Sequence, residues 1–294
     1  MNKFLKINPK DTVAVSLDGI KKGEKIEVDG KTITALDEIP AGHKIAICDM
    51  AEGDMIVKYG FPIGHAKCAI KAGSHVHSHN TKSNLGALLS YTYEPDFKDV
   101  QKETPATFMG FKRPDGKVGI RNEVWIIPTV GCVNAICKEI ENAAQEYKHG
   151  SIDAIVSYSH PYGCSQLGDD QLHTQKFLSG LIRHPNAAAV LVVGLGCENN
   201  NIPELKKVLG EVDEKRVRFI VCQEHDDEIT EAKQMLRELC DYAATFKREE
   251  CPASELVLGL KCGGSDGFSG ITANPLVGAV SDKVIAQGGS AVLT

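Results

Sequence analysis

Four cysteines stand directly after predicted strands, each in a glycine-containing loop: Cys132, Cys164, Cys197 and Cys262. In a parallel sheet, the carboxyl ends of the strands lie along one edge, where ligands bind. Thiolates gathered there suit a soft metal site, either thiolate-bound iron or an iron–sulfur cluster with one open coordination position. The alternative for each cysteine is a small buried side chain at a strand end.

A second candidate metal site is a run of alternating histidines, His75, His77 and His79, that follows Gly73. In an extended segment, residues two apart share a face, so His75 and His77 with His79 beside them are placed to share one ion. Imidazoles with carboxylate help suit divalent iron or manganese. The competing interpretation is a set of surface or hydrogen-bonded histidines.

His160 is the leading acid–base candidate, because it follows a predicted strand and precedes Cys164 by four residues. Glu198 and His225 are weaker candidates for the same catalytic role. A buried histidine that only orients its loop is the alternative for His160.

Candidates for binding a substrate carboxylate lie in two polar segments. Arg113 and Arg121 flank a Pro-Asp-Gly turn, and two guanidinium groups can grip a carboxylate through paired hydrogen bonds. Asn122 follows them directly. Ser265 and Asp266 lie in a glycine-rich loop that can present backbone amides to an anion. Solvated loop cations are the alternative for both arginines.

Composition limits the class of protein. The chain has 294 residues, of which 42% are hydrophobic and 24% charged, with a formal net charge of −6. The acidic balance argues against a nucleic-acid partner, and no apolar run reaches the length of a membrane span. Ten cysteines without dense spacing indicate reduced thiols, so the expected location is the cytoplasm. A small-molecule substrate and possible homo-oligomer formation are the remaining expectations for partners.

The first ~90 residues form a β-rich domain by run length and alternation. Asp29-Gly30 between two alternating runs predicts a hairpin. Acidic, lysine and proline residues then indicate a linker. We therefore predict a β domain at 1–92, a linker at 93–107 and a second domain at 108–294.

From residue 123 onward, strand and helix signals alternate. The predicted strands are 124–128, 152–158, 188–194, 217–222, 256–261 and 290–294, and helices follow the first five. This repetition predicts a three-layer α/β domain with a mostly parallel sheet. A βα repeat that stops on a strand also predicts that more chain, or a partner, covers the last strand.

Several long motifs resemble the altronate and galactarate dehydratases. They are His160-Pro161-Tyr162-Gly163-Cys164-Ser165-Gln166-Leu167-Gly168, Arg113 to Asn122, Gly196-Cys197-Glu198-Asn199-Asn200 and Cys262-Gly263-Gly264-Ser265-Asp266. The front segment around Gly73-Ser74-His75-Val76-His77 is similar to the β-clip (SAF) domain of that family. The resemblance implies a lyase that removes water from a sugar acid with divalent iron or manganese. Family members are longer, which agrees with the expectation that this chain lacks a C-terminal part.

The expected reaction dehydrates altronate first and galactarate second, to a 2-keto-3-deoxy sugar acid. Taking a proton next to a carboxylate requires a Lewis acid or cations on that carboxylate, and the departing hydroxide needs a proton or a metal. Two alternatives stay open at this point. One is an enzyme similar to the sulfolactate sulfo-lyases, and the other is a fragment that binds sugar acids without catalysis.

Overall fold

The computed structural model describes residues 4–84, 92–95, 100–261 and 268–294. Its contacts divide the chain into two compact units. The first comprises Met1–Gln101, Gly259–Lys283 and Val292–Thr294, and the second comprises Lys102–Leu258 and Val284–Ala291. Residues 92–95 and 100–106 are exposed and carry no helix or strand. The domain limits at residues 92 and 107 stay a prediction.

The front part of the first unit consists of short strands, as the alternation predicted. These are β1 Phe4–Leu5, β2 Val13–Ser16, β3 Lys25–Val28, β4 Lys31–Thr34, β5 Lys44–Ala46, β6 Met55–Lys58, β7 Phe61–Ala66, β8 His75–Val76 and β9 Thr81–Lys82. They form antiparallel sheets in the orders β1-β2-β5-β8, β3-β4 and β6-β7-β9. Strand β7 contains Pro62 and Gly64, two residue types that usually interrupt strands.

The predicted hairpin at Asp29-Gly30 is confirmed. Asp29 has φ 51° and Gly30 has φ 74°, so both turn positions are in the left-handed region. A two-residue turn of this kind matches the twist of the strands that it joins, β3 and β4.

After β9, the part of the chain that the structure describes contains nine more strands and five α-helices. The strands are β10 Thr107–Lys112, β11 Val118–Gly119, β12 Glu123–Pro128, β13 Ala154–Ser157, β14 Ala187–Gly194, β15 Val217–Val221, β16 Glu249–Pro252, β17 Val257–Leu260 and β18 Ser290–Leu293. The helices are α1 Asn134–Ala144, α2 Gly168–Ile182, α3 Ile202–Leu209, α4 Glu228–Ala244 and α5 Ala273–Ala286. In the described residues, no helix combines the length and apolar character that crossing a membrane requires.

A parallel sheet organises the second unit. Its strand order is β13-β12-β14-β15, and every pair in it is parallel. Strand β14 is buried at all eight positions, which explains its continuous apolar sequence. Alternate strand residues enter two separate cores, one with α1 and α4 and the other with α2 and α3.

The prediction that 256–261 and 290–294 belong to this parallel sheet is wrong. Strands β17 and β18 instead pair with each other in a two-stranded sheet. The reason is strand β16, which follows α4 and pairs antiparallel with β10, interrupting the βα alternation. Two glutamates and a proline in four residues hid this strand in the sequence.

Candidate active site

Four loops meet at the carboxyl edge of the parallel sheet, as the strand order requires. The amide of Gly131 donates to Tyr162 O at 2.9 Å, and the amide of Asn200 donates to Gly163 O at 3.1 Å. On the far side, the amide of Gln223 donates to Leu195 O at 3.1 Å. The loops after β12, β13, β14 and β15 are therefore joined into one polar surface.

Gly163 allows two of these loops to approach. Its φ is +100°, and a Cβ built on it would lie 2.2 Å from the carbonyl oxygen of Thr129. No L side chain fits at that distance, so glycine is required here for steric and conformational reasons.

The ring of His160 is held at both nitrogens. Nε2 donates to Pro128 O at 2.8 Å, and Nδ1 accepts from the amide of Tyr162 at 3.2 Å. The side chain of Asn134 donates to the carbonyl oxygen of His160 at 2.9 Å and fixes its backbone as well. These partners require Nε2 to donate and Nδ1 to accept. His160 thus links β12 to the loop after β13.

A cavity of about 400 Å³ lies beside His160, between its loop and helix α2. It is lined by His160, Tyr162, Gln166, Asp170, His173, Thr174, Phe177 and Leu178. His173 differs from His160, because in the described chain no hydrogen bond or ion pair engages its ring. Sequence reasoning missed His173, although Asp170 and His173 are three residues apart and so share a helix face.

Glu198 is a buried carboxylate that organises its own loop. It accepts from Thr129 Oγ1 at 2.6 Å, from the amide of Leu195 at 3.0 Å and from the amide of Gly196 at 2.6 Å. Burial alone would raise the pKa of Glu198, but these hydrogen bonds outweigh it and lower the pKa. The side chain is therefore ionised at neutral pH and serves the loop. His225, the third predicted catalytic residue, lies in the loop after β15 at the same edge.

Asn200 carries an unused acceptor beneath this surface. Its Nδ2 donates to Thr129 O at 2.8 Å, whereas its buried Oδ1 has no hydrogen-bond partner among the described residues. A hydroxyl or water reaching this oxygen would satisfy it.

The structure describes three of the four cysteines that were predicted as thiolate ligands. Cys132, Cys164 and Cys197 are exposed in the loops after β12, β13 and β14. Cys262, Ser265 and Asp266 lie outside the described residues, and the strand before Cys262 belongs to the other sheet. Within the described residues, no three His, Cys, Asp or Glu side chains form a ready-made metal cage.

The alternative ligands, His75 and His77, lie close together in the first unit. Their ring centroids are 5.6 Å apart, and the rings of His43 and His79 lie beside them. Burial, followed by the neighbouring ring of His43, lowers the pKa of both His75 and His77. The lowered pKa favours the neutral imidazole, which is the form that binds metals.

The predicted carboxylate-binding residues lie at the amino end of β12, before Glu123. Six strand residues separate them from the loops at Thr129, a span of about 20 Å. Arg113 is buried and donates to Pro185 O, Asn122 Oδ1 and Arg121 O at 2.8–2.9 Å.

Asn122 is fully buried, and its Nδ2 donates to Ala243 O at 2.9 Å and to Ser151 Oγ at 3.0 Å. These contacts favour structural roles for Asn122 and Arg113. Arg121 is exposed and pairs with Glu123.

Comparison with known proteins covers nearly the whole chain. Residues 2–84 match the altronate/galactarate dehydratase SAF domain, residues 110–244 match the second domain of D-galactarate dehydratase/altronate hydrolase, and residues 253–294 match the D-galactarate/altronate dehydratase C-terminal domain.

Among individual proteins, the altronate dehydratases of Escherichia coli (strain K12) and Bacillus subtilis (strain 168) are 47% and 50% identical to the chain. These matches cover 99% and 100% of the chain, which spans 60% of the length of each. The (2R)-sulfolactate sulfo-lyase subunit beta of Chromohalobacter salexigens is 37% identical over 62% of the chain and 44% of its own length. The chain therefore belongs to the altronate/galactarate dehydratase family.

Proposed function

We propose that the chain takes part in the dehydration of a sugar acid, altronate first and galactarate second, to a 2-keto-3-deoxy sugar acid. The observation that carries the proposal is the match to two altronate dehydratases at 47–50% identity over at least 99% of the chain. A further observation supports the proposal: the cavity beside His160 has a volume typical of small-molecule sites, and its lining includes His160 and His173.

The reaction removes the proton from the carbon next to the carboxylate and the hydroxyl from the adjacent carbon. The resulting enol then tautomerises to the 2-keto acid. The proton acceptor must have a free nitrogen or oxygen near the substrate. His160 has none, because both ring nitrogens are bonded to backbone groups. We assign the proton transfer to His173, and we assign to His160 the positioning of the loop that carries Tyr162.

The remaining residues of the candidate site have proposed roles other than the proton transfer assigned to His173. Tyr162 lines the same cavity and carries a phenolic O–H that can donate to a leaving hydroxyl. Glu198 holds Thr129 in place, and His225 stays a predicted acid–base residue. Substrate binding by Arg121, Ser265 and Asp266 also stays a prediction.

Metal assistance remains part of the proposal. When bound, a divalent iron or manganese ion would polarise the substrate carboxylate or the departing hydroxyl. The neutral imidazoles of His75 and His77 fit such an ion in donor type and proximity. The thiols of Cys132, Cys164 and Cys197 are exposed in the loops after three strands of the parallel sheet. Among the described residues, neither the histidines nor the cysteines form a group of three that could hold an ion, so the imidazole set, the thiolate set and an iron–sulfur cluster all stay predictions.

We also propose the layer arrangement of the second unit, the cellular location and the oligomeric state. We infer a three-layer α/β domain for the second unit, because its sheet has one core with α1 and α4 and another with α2 and α3. The cytoplasmic location and homo-oligomer formation stay predictions.

A panel of substrates tests the proposal. The chain and a full-length altronate dehydratase would be incubated without oxygen with Fe²⁺ and altronate, galactarate or sulfolactate. We expect a 2-keto-3-deoxy acid from altronate, detected by NMR. Sulfite from sulfolactate would favour the sulfo-lyase alternative, and sugar-acid binding without turnover would favour the binding-fragment alternative.

A further inference from the structure

Three arginines line a cavity of about 340 Å³ in the second unit, and Tyr242 of α4 lines it with them. Arg183 precedes β14 and Arg216 precedes β15, while the guanidinium of Arg113 bonds the two residues that precede β12. The arginines therefore lie at the amino ends of three parallel strands. The cavity beside His160 lies at the carboxyl ends, so the two cavities are separate.

The charge of Arg113 is buried without a counter-ion. Only 6% of its surface is exposed, and its guanidinium donates to Pro185 O, Asn122 Oδ1 and Arg121 O, which are all neutral oxygens. The two aromatic rings whose centres lie 4.7 and 5.5 Å from its Cζ carry no charge either. A buried charge without a counter-ion is unfavourable, so an anion bound beside Arg113 would stabilise it.

Arg216 and Arg183 add two cations with unused donors. In each, Nη2 donates to two backbone carbonyl oxygens. A guanidinium has five N–H groups, and among the described residues Nε and Nη1 of these two arginines have no hydrogen-bond partner. Neither atom is sealed from solvent in either residue. These N–H groups are therefore available to a ligand.

Arg113 and Arg216 also repel each other. Burial, followed by the positive charge of Arg216, lowers the pKa of Arg113 to about 10. Burial lowers the pKa of Arg216 as well. An anion between the two guanidinium groups would relieve both effects, because it favours their charged forms.

The acidic residues of the lining are Asp115, Glu211 and Asp213, and in the described chain none forms an ion pair with these arginines. Asp115 instead accepts from the amide of Lys117 at 3.2 Å and pairs with its Nζ at 3.9 Å. Asp213 Oδ1 accepts from the amide of Lys215 at 2.9 Å. These acids offset part of the positive charge at a distance, so directed hydrogen bonds from the arginines, and not net charge, would hold an anion.

We propose that Arg113, Arg183 and Arg216 bind one small oxyanion, a phosphate or a dicarboxylate, in this cavity. Planar guanidinium groups match the paired oxygens of both kinds of ion. The phenolic O–H of Tyr242, which has no hydrogen-bond partner among the described residues, can donate to the same ion. The position at the amino ends of the strands makes this a site for a second ligand and not for the dehydrated substrate. The inference does not depend on the proposed function.

Calorimetric titration of the full chain with inorganic phosphate, and separately with succinate, tests the assignment. We expect one anion per chain. Arg183→Gln and Arg216→Gln should each weaken binding by roughly 10-fold or more, because each removes charge-assisted hydrogen bonds. The matched control is Arg237→Gln, since Arg237 is an exposed arginine of α4 outside the cavity lining. This variant should bind the anion like the unchanged chain.

The thermal midpoint separates anion binding from folding. Arg183 is exposed, so Arg183→Gln should keep the circular dichroism spectrum of the unchanged chain. Saturating anion should raise the midpoint of the unchanged chain and of Arg237→Gln, but not that of Arg183→Gln. Binding of phosphate alone would assign the site to phosphoryl ligands, and binding of succinate would assign it to carboxylates. No binding of either ion at millimolar concentrations would overturn the proposal, and so would equal affinity in the two cavity variants and the control.

Discussion

Replacing Glu198 by glutamine tests whether its carboxylate has a catalytic or a structural role. In Glu198→Gln, the amide oxygen can still accept from Thr129 Oγ1 and from the amide of Leu195, as Oε1 does now. The new amide NH₂ then faces the N–H of Gly196, so two donors oppose each other where Oε2 accepts at 2.6 Å. Hydrogen bonds to charged groups contribute about 1.5–3 kcal/mol each, and an unsatisfied buried donor costs about 1–3 kcal/mol.

We therefore expect Glu198→Gln to lower the free energy of unfolding by about 2–3 kcal/mol. For a unit of this size, that corresponds to a fall of roughly 4–12 °C in the thermal midpoint. Urea denaturation followed by circular dichroism measures it. The control is Glu139→Gln on the exposed face of α1, which should change stability by less than about 0.5 kcal/mol.

The stability difference between the unchanged chain and Glu198→Gln should also depend on pH, in a direction that the pKa of Glu198 determines. The pKa of Glu198 is lowered from its ordinary value of 4.5, so its contribution is fully present above pH 4.5. That contribution is lost as pH falls through the lowered pKa of the folded state. The stability gap between the unchanged chain and Glu198→Gln should therefore narrow below pH 4.5. A variant with unchanged stability but lost turnover would refute this reasoning and restore Glu198 as a catalytic residue.

Three further predictions follow from single contacts. Gly163→Ala places a methyl group 2.2 Å from a carbonyl oxygen and should lower the free energy of unfolding by about 3 kcal/mol, whereas Gly180→Ala, inside α2 with open space, should raise it by about 0.5–1 kcal/mol. If the two variants changed the free energy of unfolding equally, the close approach of Gly163 to Thr129 would be contradicted. Arg113→Lys loses at least two of three side-chain hydrogen bonds and should cost about 2–4 kcal/mol in urea denaturation, against less than about 0.5 kcal/mol for the exposed Arg237→Lys. A raised KM with unchanged stability would instead assign Arg113 to substrate. His173→Asn should lower kcat and remove one limb of its pH profile with little change in the thermal midpoint, and an unaltered pH profile would exclude His173 from proton transfer.

The sequence predicted most elements of the fold because their signals are local. Continuous apolar strands such as β14 and the Asp29-Gly30 turn are determined by neighbouring residues, and the structure contains both. Strand β16 was missed because its charged residues pair with β10, more than 130 positions earlier, and no local pattern records that pairing. The assignment of the last two strands to the parallel sheet was wrong for the same reason.

The candidate site was predictable only to the level of its loops. The sequence predicted that His160 follows a strand, but the engagement of both its ring nitrogens depends on Pro128 and on the loop turn, which residue types do not reveal. The proximity of His43 to His75 and His77 could not be expected from sequence spacing, because strand pairing brings these residues together. The burial of Arg113 could not be read from an isolated turn motif, and substrate binding by Arg113 stays a prediction.

The most direct test of the proposed function is the fate of altronate in the presence of the protein and Fe²⁺ without oxygen, followed by proton NMR. We predict the appearance of a 2-keto-3-deoxy acid that a metal chelator suppresses and that His75→Ala abolishes. Unchanged altronate, with Fe²⁺ bound at one equivalent and a full-length altronate dehydratase active beside it, would contradict the proposal.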